Sequence, residues 1–162
     1  MNPENALTDL SGKVVTITGG SRGIGKEIAL AFSRCGANVV IASRKRENCT
    51  ALAEHITETI GTEALPVACH VGQWDQCDEL FSTVYDHFGK CDVLINNAGM
   101  SPLYKSLTDV SQDLFDKVMN VNLRGPFRLS ALFGQQMFND GNGSIINAVS
   151  YTHLTLPTTL TV

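Results

Sequence analysis

The sequence predicts an α/β fold in which helices cover both faces of a parallel sheet. Five short apolar runs alternate with stretches of helical periodicity, beginning at residues 14–17 and ending at residues 144–149. The runs are continuously apolar instead of alternating with polar residues, which is typical of parallel strands buried on both sides. Strands and helices that alternate in this way indicate a doubly wound sheet, which here would be truncated after its fifth strand.

The first predicted strand, residues 14–17, leads into a helix whose apolar residues recur at intervals of three and four positions. Gly36 marks the end of that helix. Five residues are expected to share one face of this helix: Ile24, Ile28, Ala31, Phe32 and Cys35. Residues 39–42 form the second strand, and Gly61 closes the helix that follows it.

The third strand, residues 64–69, contains Pro66, which cannot donate a hydrogen bond to a neighbour and therefore predicts a position at the sheet edge. A third helix separates this strand from the fourth, residues 93–95. A long helical region is expected over residues 111–137, and the fifth strand follows at residues 144–149.

Composition favours a single globular domain. The chain has 162 residues, of which 43% are apolar and 17% are charged. The net charge of −4 and the short basic cluster at residues 44–46 argue against nucleic acid as a partner. No apolar run reaches the ~18 residues of a membrane span. The N-terminus does not resemble a signal peptide, so we expect a cytoplasmic protein without membrane contact.

The five cysteines are scattered along the chain. Their number is odd, and no two of them form a C-x-x-C pair. This pattern predicts buried or half-buried reduced thiols, with neither a disulfide framework nor a metal site.

Residues 18–27, TGGSRGIGKE, form a glycine-rich turn between the first strand and the first helix. One interpretation is a P-loop, but Glu27 stands where that motif needs a hydroxyl for Mg²⁺. A tight turn without a ligand is a second interpretation. The third is a dinucleotide loop, because a strand, a glycine turn and a helix N-terminus together present free N–H groups to a pyrophosphate. The loop alone leaves the last two open.

A second motif, NNAG at residues 96–99, directly follows the fourth predicted strand. The carboxyl ends of strands are where a doubly wound sheet opens its ligand crevice. With these two motifs the chain resembles the short-chain dehydrogenase/reductase family over residues 8–150. Asp92, VNL at residues 121–123 and GSIINAVS at residues 143–150 also fit the family in order and spacing. The resemblance implies a Rossmann domain over residues 1–150 that binds a nicotinamide dinucleotide.

The resemblance also implies cofactor contacts, residue by residue. They come from the glycine loop, the end of the second strand, the segment after the third strand and the NNAG motif. These residues are Gly19, Ser21, Arg22, Gly23, Ile24, Gly25, Ser43, Arg44, His70, Val71, Asn97, Ala98 and Gly99. His70 departs from the family, which often has Asp or Asn there; it could stack on the adenine, donate to it, or be an ordinary loop histidine. Asn96 is expected to tie strands together.

The end of the second strand bears on the choice of nicotinamide. Enzymes that bind NAD place a carboxylate there, about 20 residues past the glycines, to hold the ribose 2′-hydroxyl. Here Ser43 takes that position, Arg44 follows it, and Arg22 lies in the glycine loop. Arginine binds a 2′-phosphate through charge-assisted hydrogen bonds, whereas a carboxylate would repel it. We predict NADP in preference to NAD; the alternative is that residues 44–46 are only a solvated helix start.

For the chemistry, the resemblance implies an Asn, a Ser, a Tyr and a Lys that manage one proton while the cofactor carries the hydride. Asn122 corresponds to the asparagine that holds a water in the proton relay, with an ordinary helix-kink residue as the alternative. Ser150 corresponds to the serine that hydrogen-bonds the substrate oxygen, with a strand-end cap as the alternative. The implied substrate is a small carbonyl or alcohol compound, and no metal is implied.

The Tyr-x-x-x-Lys motif that should follow the serine is absent. Tyr85, Tyr104 and Tyr151 have Gly, Thr and Thr four residues later. We therefore predict that this chain is inactive although its parent protein is an enzyme; the alternative is a non-catalytic dinucleotide-binding module. Residues 151–162 depart from the family and are expected to be an artefactual tail on a cut-off gene. The resemblance implies that the full-length parent forms homo-oligomers.

Overall fold

The strands form one parallel sheet in a computed structural model that describes residues 9–148. The strands are β1 (Val14–Thr18), β2 (Asn38–Ser43), β3 (Ala64–Ala68), β4 (Val93–Asn96) and β5 (Ser144–Asn147). Their order across the sheet is β3-β2-β1-β4-β5, and each neighbouring pair is parallel. The predicted doubly wound parallel sheet is confirmed, and β3 with its Pro66 lies at the edge as expected.

Five α-helices connect and follow the strands: α1 (Gly23–Arg34), α2 (Arg46–Thr59), α3 (Trp74–Phe88), α4 (Gln112–Met119) and α5 (Gly125–Asp140). A short 3-10 turn, Leu107–Asp109, precedes α4, and a π-helical turn, Asn120–Arg124, joins α4 to α5. None of the helices within residues 9–148 is long and apolar enough to cross a membrane.

Two apolar clusters, one on each face of the sheet, hold the layers together. Successive strand residues alternate between them, as with Val14 and Val15, because side chains of a strand point to opposite faces. One cluster contains residues of α1 and α2, such as Leu30 and Ile56. The other contains residues of α3 and α5, such as Phe133. The helices therefore cover both faces in pairs.

The apolar face predicted for α1 is only partly its buried face, because Ile28 and Phe32 pack against the core cluster but Ile24 does not. Ile24 is 74% exposed. The buried residues of this helix are Gly25, Ala29, Leu30 and Ser33. The reason is close approach at Gly25, where a Cβ atom would lie 2.3 Å from the carbonyl oxygen of Gly19. Only glycine lets the helix pack this tightly on the loop, and apolar periodicity does not reveal such a contact.

The predicted helical region over residues 111–137 is confirmed, but a π-helical turn interrupts its α-helical geometry. Gly125 donates its N–H to the carbonyl of Asn120, five residues back, which is the π-helical spacing. An α-helix at this place would need an N–H at residue 126 to bond the carbonyl of Asn122. Pro126 has no N–H to give, so the α-helical hydrogen-bond ladder is interrupted there.

The order of the strands shows where the ligand-binding crevice of the fold lies. β1 lies between β2 and β4, and α1, which follows β1, covers the face opposite to the one covered by α5. The carboxyl ends of β1 and β4 thus flank the point at which successive connections diverge to opposite faces. In open α/β sheets this is where ligands bind.

Candidate cofactor and substrate site

The glycine loop after β1 is tied directly to the NNAG segment after β4. The hydroxyl of Thr18 accepts the backbone N–H groups of Asn97 and Ala98, both at 3.0 Å. The side-chain amide of Asn97 donates to the carbonyls of Thr18 at 2.9 Å and Gly19 at 3.3 Å. The two motifs found in the sequence therefore form one hydrogen-bonded unit at the floor of the crevice.

The N-terminus of α1 fits a phosphate. No side chain caps this helix, whose Arg22 precedes the first turn in an extended conformation. Gly23 has φ +54°, in the left-handed region, and a Cβ atom there would meet nothing within 4 Å. The first-turn N–H groups have no partner inside the helix, and the helix dipole makes this end positive. This glycine cradle leaves both the space and the donors that a pyrophosphate needs.

Every cofactor contact predicted from the sequence lines one cleft of about 1140 Å³ beside this helix end. Those residues are Gly19, Ser21, Arg22, Gly23, Ile24, Gly25, Ser43, Arg44, His70, Val71, Asn97, Ala98 and Gly99. Sequence reasoning missed other residues that line it: Lys45, Asn48, Cys69, Gly72, Gln73, Met100, Lys117, Asn120 and Val121. The residue types and their placement together suit a dinucleotide.

The lining of this cleft is strongly cationic. Arg22, Arg44, Lys45 and Lys117 line it, and none of the described residues in its wall is an aspartate or glutamate. None of these four side chains takes part in an ion pair within residues 9–148. Nothing in the sequence around Lys117 indicated that it lines the cleft, because it reaches the cleft from α4. Uncompensated positive charge of this kind favours an anionic ligand.

Ser43 lies where the ribose carboxylate of an NAD-binding site would be. Its hydroxyl is 2.8 Å from the hydroxyl of Ser21 in the glycine loop and 3.1 Å from the thiol of Cys49 in α2. These contacts hold the end of β2 against the loop. They also keep a neutral hydrogen-bonding group at this position, beside the guanidinium of Arg44.

His70 presents a defined tautomer to the cleft. The N–H of Gly72 donates to its Nδ1 at 3.1 Å, so the neutral ring carries its proton on Nε2. The backbone N–H of His70 in turn donates to the side-chain carbonyl of Gln76 at 2.7 Å, which holds the residue at the start of the loop after β3. The side chain can therefore donate a hydrogen bond where the family often has an acceptor.

A second cleft of about 1230 Å³ adjoins the first beyond the NNAG segment. Much of its lining is apolar: Ile24, Leu103, Tyr104, Leu123 and Phe127. Asn122 also lines it. Its side chain is bonded twice to the backbone of Met100, accepting the N–H at 2.9 Å and donating to the carbonyl at 2.8 Å. This cleft would take an apolar molecule next to the first cleft.

Asn96 is a structural residue, as predicted. It is buried, and its amide donates to the hydroxyl of Ser130 in α5 at 3.1 Å and to the side chain of Asn147 in β5 at 2.9 Å. It thus ties β4 to β5 and to the covering helix. Ser150, which was assigned a chemical role together with Asn122, lies outside the described residues.

Comparison with known proteins decides the family. The family model described as short chain dehydrogenase matches residues 13–158. This chain belongs to the short-chain dehydrogenase/reductase family. The family resemblance drawn from the glycine loop and the NNAG segment is confirmed.

Individual members of the short-chain dehydrogenase/reductase family resemble the chain over most of its length. A short chain dehydrogenase/reductase of Gibberella zeae is 38% identical over 149 residues, which are 91% of this chain and 54% of that protein. A crystal structure of a metagenomic short-chain oxidoreductase in complex with NADP is 36% identical with a TM-score of 0.82. The match covers 85% of this chain and 62% of that one.

The L-sorbose reductase of Gluconobacter frateurii, solved as a complex with NADPH and L-sorbose, is 30% identical with a TM-score of 0.82. That match covers 86% of this chain and 53% of the reductase. The chain thus spans about half the length of the curated relatives it matches.

Proposed function

We propose that this chain forms the cofactor-binding site of an NADP-dependent oxidoreductase. That enzyme would transfer a hydride between nicotinamide and a carbonyl or alcohol carbon. The observation that carries the proposal is the cationic cleft, which has Ser43 and Arg44 at the end of β2 and no carboxylate among the described residues of its wall. The solved relatives that bind NADP or NADPH support it by analogy. When bound, the cofactor supplies the hydride chemistry.

Different residues of the cleft would bind different parts of the dinucleotide. The first-turn N–H groups of α1 would hold the pyrophosphate. Arg22 and Arg44 would bind the 2′-phosphate, with the hydroxyl of Ser43 as a further donor. His70 and Val71 would border the adenine. The NNAG segment separates this cleft from the apolar one, where a small carbonyl or alcohol substrate would lie.

Proton handling falls to the segment around Asn122. Its side chain is bonded to the backbone of Met100, and its backbone carbonyl, to which Pro126 has no N–H to donate, would accept from a relay water. We assign Ser150 the hydrogen bond to the substrate oxygen. No Tyr-x-x-x-Lys occurs in the 162 residues, so we expect this polypeptide to bind NADPH without oxidising it.

The cationic cleft also fits a second candidate function, a dinucleotide-binding module without turnover. The two functions differ in what the cleft at Asn122 does. A binding module would leave the apolar cleft without a ligand, whereas an oxidoreductase scaffold would take up small ketones there. Ketone-dependent chemical-shift changes at residues 100–104, measured with NADPH bound, would favour the oxidoreductase.

We further propose that the protein forms homo-oligomers through the α4–α5 row, defined as Phe115, Met119, Leu123 and Phe127. These apolar side chains are exposed and follow one another at intervals of four residues. Exposed apolar surface of this kind is typical of an interface between proteins.

A pair of arginine variants tests the cofactor assignment. Arg44→Ala should weaken NADPH binding by about 1–3 kcal/mol, the value of a lost charged hydrogen bond, and leave NADH binding unchanged. Arg46→Ala is the matched control, because it removes the same charge from an exposed residue that does not line the cleft. Dissociation constants from calorimetry decide the matter. Equal losses in both variants would mean that only general charge is involved.

A further inference from the structure

Two buried thiols lie against each other beside the cationic cleft. Cys69 follows β3 and is 3% exposed, and Cys77 lies near the start of α3 and is 0% exposed. The thiol of Cys69 donates to the carbonyl of Gln76 at 3.5 Å, whose peptide bond joins it to Cys77. The thiol of Cys77 donates to the carbonyl of Val71 at 3.3 Å. These crossed bonds bring the two side chains together across the loop that contains His70.

The two thiols are chemically unequal. The interaction with the Cys69 side chain lowers the pKa of Cys77, and the guanidinium groups of Arg128 and Arg124 act in the same direction against burial and Asp78. The same pairing with Cys77, together with burial, raises the pKa of Cys69. Cys77 also lies close to the N-terminus of α3, where thiolates are favoured. Cys77 is therefore the thiol that ionises first, and Cys69 keeps its proton.

The pair has a route to small oxidants. Cys69 lines the cationic cleft, whereas Cys77 is fully buried and does not line it, so hydrogen peroxide would reach Cys77 from the cleft by passing Cys69. Cys49 is the other buried thiol of this region, but its contacts are with Ser43 and the carbonyl of Val67. Its hydrogen bonds thus direct it toward β2 and β3, away from α3.

We propose that Cys69 and Cys77 form an intramolecular disulfide when hydrogen peroxide oxidises the protein. The Cys77 thiolate attacks one oxygen of the peroxide, the O–O bond breaks, and hydroxide leaves, so Cys77 becomes a sulfenic acid. The sulfur of Cys69 then attacks Cys77, the S–S bond forms, the S–O bond breaks, and the Cys69 proton leaves with the oxygen as water. In sum, two thiols and one peroxide give one disulfide and two waters.

The disulfide would alter the loop that borders the cleft. Neither sulfur could donate any longer, so the carbonyls of Gln76 and Val71 would lose their thiol partners. His70, Val71, Gly72 and Gln73 lie between the linked residues and all line the cleft. We expect the linked protein to bind NADPH several-fold more weakly. This consequence, unlike the disulfide itself, rests on the proposed function.

Peptide mapping tests the linkage without any variant. The folded protein is treated with hydrogen peroxide, free thiols are blocked with N-ethylmaleimide, and unreduced peptides are analysed by mass spectrometry. We expect Cys69–Cys77 to be the predominant disulfide and to disappear after dithiothreitol. A predominant link to Cys49, oxidation that stops at one sulfur, or thiols that remain unreacted would each overturn the proposal.

Serine variants test the roles of the two sulfurs. Cys77→Ser should abolish the peroxide-driven disulfide, and Cys69→Ser should leave Cys77 as a sulfenic acid trapped by dimedone. Cys35→Ser is the control, because Cys35 lies at the C-terminal end of α1 and the pair should still form. The same yield of intramolecular disulfide in Cys77→Ser as in the unaltered protein would contradict the assignment. If Cys77→Ser does not fold, the sulfenic acid expected at Cys77 in Cys69→Ser still tests the assignment.

The effect on the cleft is measured separately, through the emission of Trp74, the single tryptophan, which follows Gln73 in the chain. NADPH titrations should show several-fold weaker binding after peroxide, recovery with dithiothreitol, and no change in Cys77→Ser. Unchanged affinity in a protein shown to be linked would refute the coupling. A reduced protein that binds no NADPH would instead refute the proposed function and leave the mapped disulfide standing.

Discussion

Ser43 and Arg44 stand at the end of β2, where a short-chain dehydrogenase/reductase meets the ribose of its cofactor. Ser43 has no charge to repel a phosphate, and its hydroxyl is held by Ser21 and Cys49. Arg44 is exposed and has no ion-pair partner among the described residues. The selectivity proposed for the protein thus comes from a neutral residue in place of a carboxylate and from one unpaired guanidinium beside it.

Adding a single Cβ atom at Gly25 is predicted to destabilise the protein. Gly25→Ala would place a Cβ atom 2.3 Å from the Gly19 carbonyl oxygen, so the loop or the helix must move. We expect about 1–3 kcal/mol of lost stability in chemical denaturation, as for other overpacked sites, together with weaker NADPH binding. Gly134→Ala is the control, since its Cβ would meet only a side-chain carbon of Ile145 at 3.3 Å. Equal stability of the two variants would contradict the close packing.

Residue motifs were the most predictable part of the site. The glycine loop and the NNAG segment each carry their own local constraint, such as the positive φ of Gly23, so their positions could be read from the sequence. Lys117 could not, because its place in the cleft depends on how α4 packs over the loop. The exposure of Ile24 on α1 was missed for the same reason, because Gly25 is required by its contact with Gly19 and not by hydrophobicity.

At the scale of elements, the connection from α4 to α5 shapes the apolar cleft. Pro126 interrupts the α-helical ladder, and the π-helical turn places Asn122 against Met100. The hydrophobic pattern predicted the long helical region but not the π-helical turn within it, because apolar periodicity over residues 111–137 does not reveal that Pro126 lacks an N–H. Strands were easier to place: the apolar runs at β1 and β2 differ from the observed bounds by at most one residue at either end.

The α4–α5 row carries a prediction about assembly. Phe115→Asp places a charge in the proposed interface without altering either cleft, since Phe115 lines neither. We expect sedimentation velocity to show a shift toward smaller species, because burying an unpaired carboxylate is costly. Leu107→Asp is the control, as Leu107 is exposed on the 3-10 turn outside the row. A monomeric parent protein, or an equal shift in the control, would contradict this interface.

At the scale of the whole molecule, Asp92 joins the sheet at the end opposite the clefts. It is buried, and its carboxylate accepts from the Val14 N–H at 2.9 Å, from Lys13 at 2.9 Å and from Asn142 at 3.3 Å. The Nζ atom of Lys90 lies 3.1 Å from Oδ2 of Asp92, whereas Lys13 contacts Oδ1. One carboxylate thus links the starts of β1 and β4 with the turn before β5.

This network makes stability depend on pH. Burial raises the pKa of Asp92, but the hydrogen bonds from Lys13, Val14 and Lys90 outweigh it, so its pKa lies below the ordinary value. The stabilisation is therefore present above about pH 4, where an unfolded carboxyl titrates, and is lost as the pH falls through the lower folded pKa.

A variant of Asp92 isolates that contribution. Asp92→Asn should lower the free energy of unfolding by about 2 kcal/mol at neutral pH and flatten its decline in acid. Asp86→Asn is the control, because Asp86 is exposed on α3 and takes part in no ion pair of residues 9–148. Urea denaturation at neutral pH and below pH 4 measures both. A variant as stable as the unaltered protein at neutral pH would show that the network contributes nothing.

The most direct measurement of the central claim compares NADP and NAD on the unaltered protein by calorimetry at fixed ionic strength. If the cleft is built for a 2′-phosphate, NADP binds tighter by about 1–3 kcal/mol, which is roughly fivefold to 150-fold in dissociation constant. Raising the salt concentration should narrow that gap, since part of it is charge attraction. Equal or tighter binding of NAD would contradict the account.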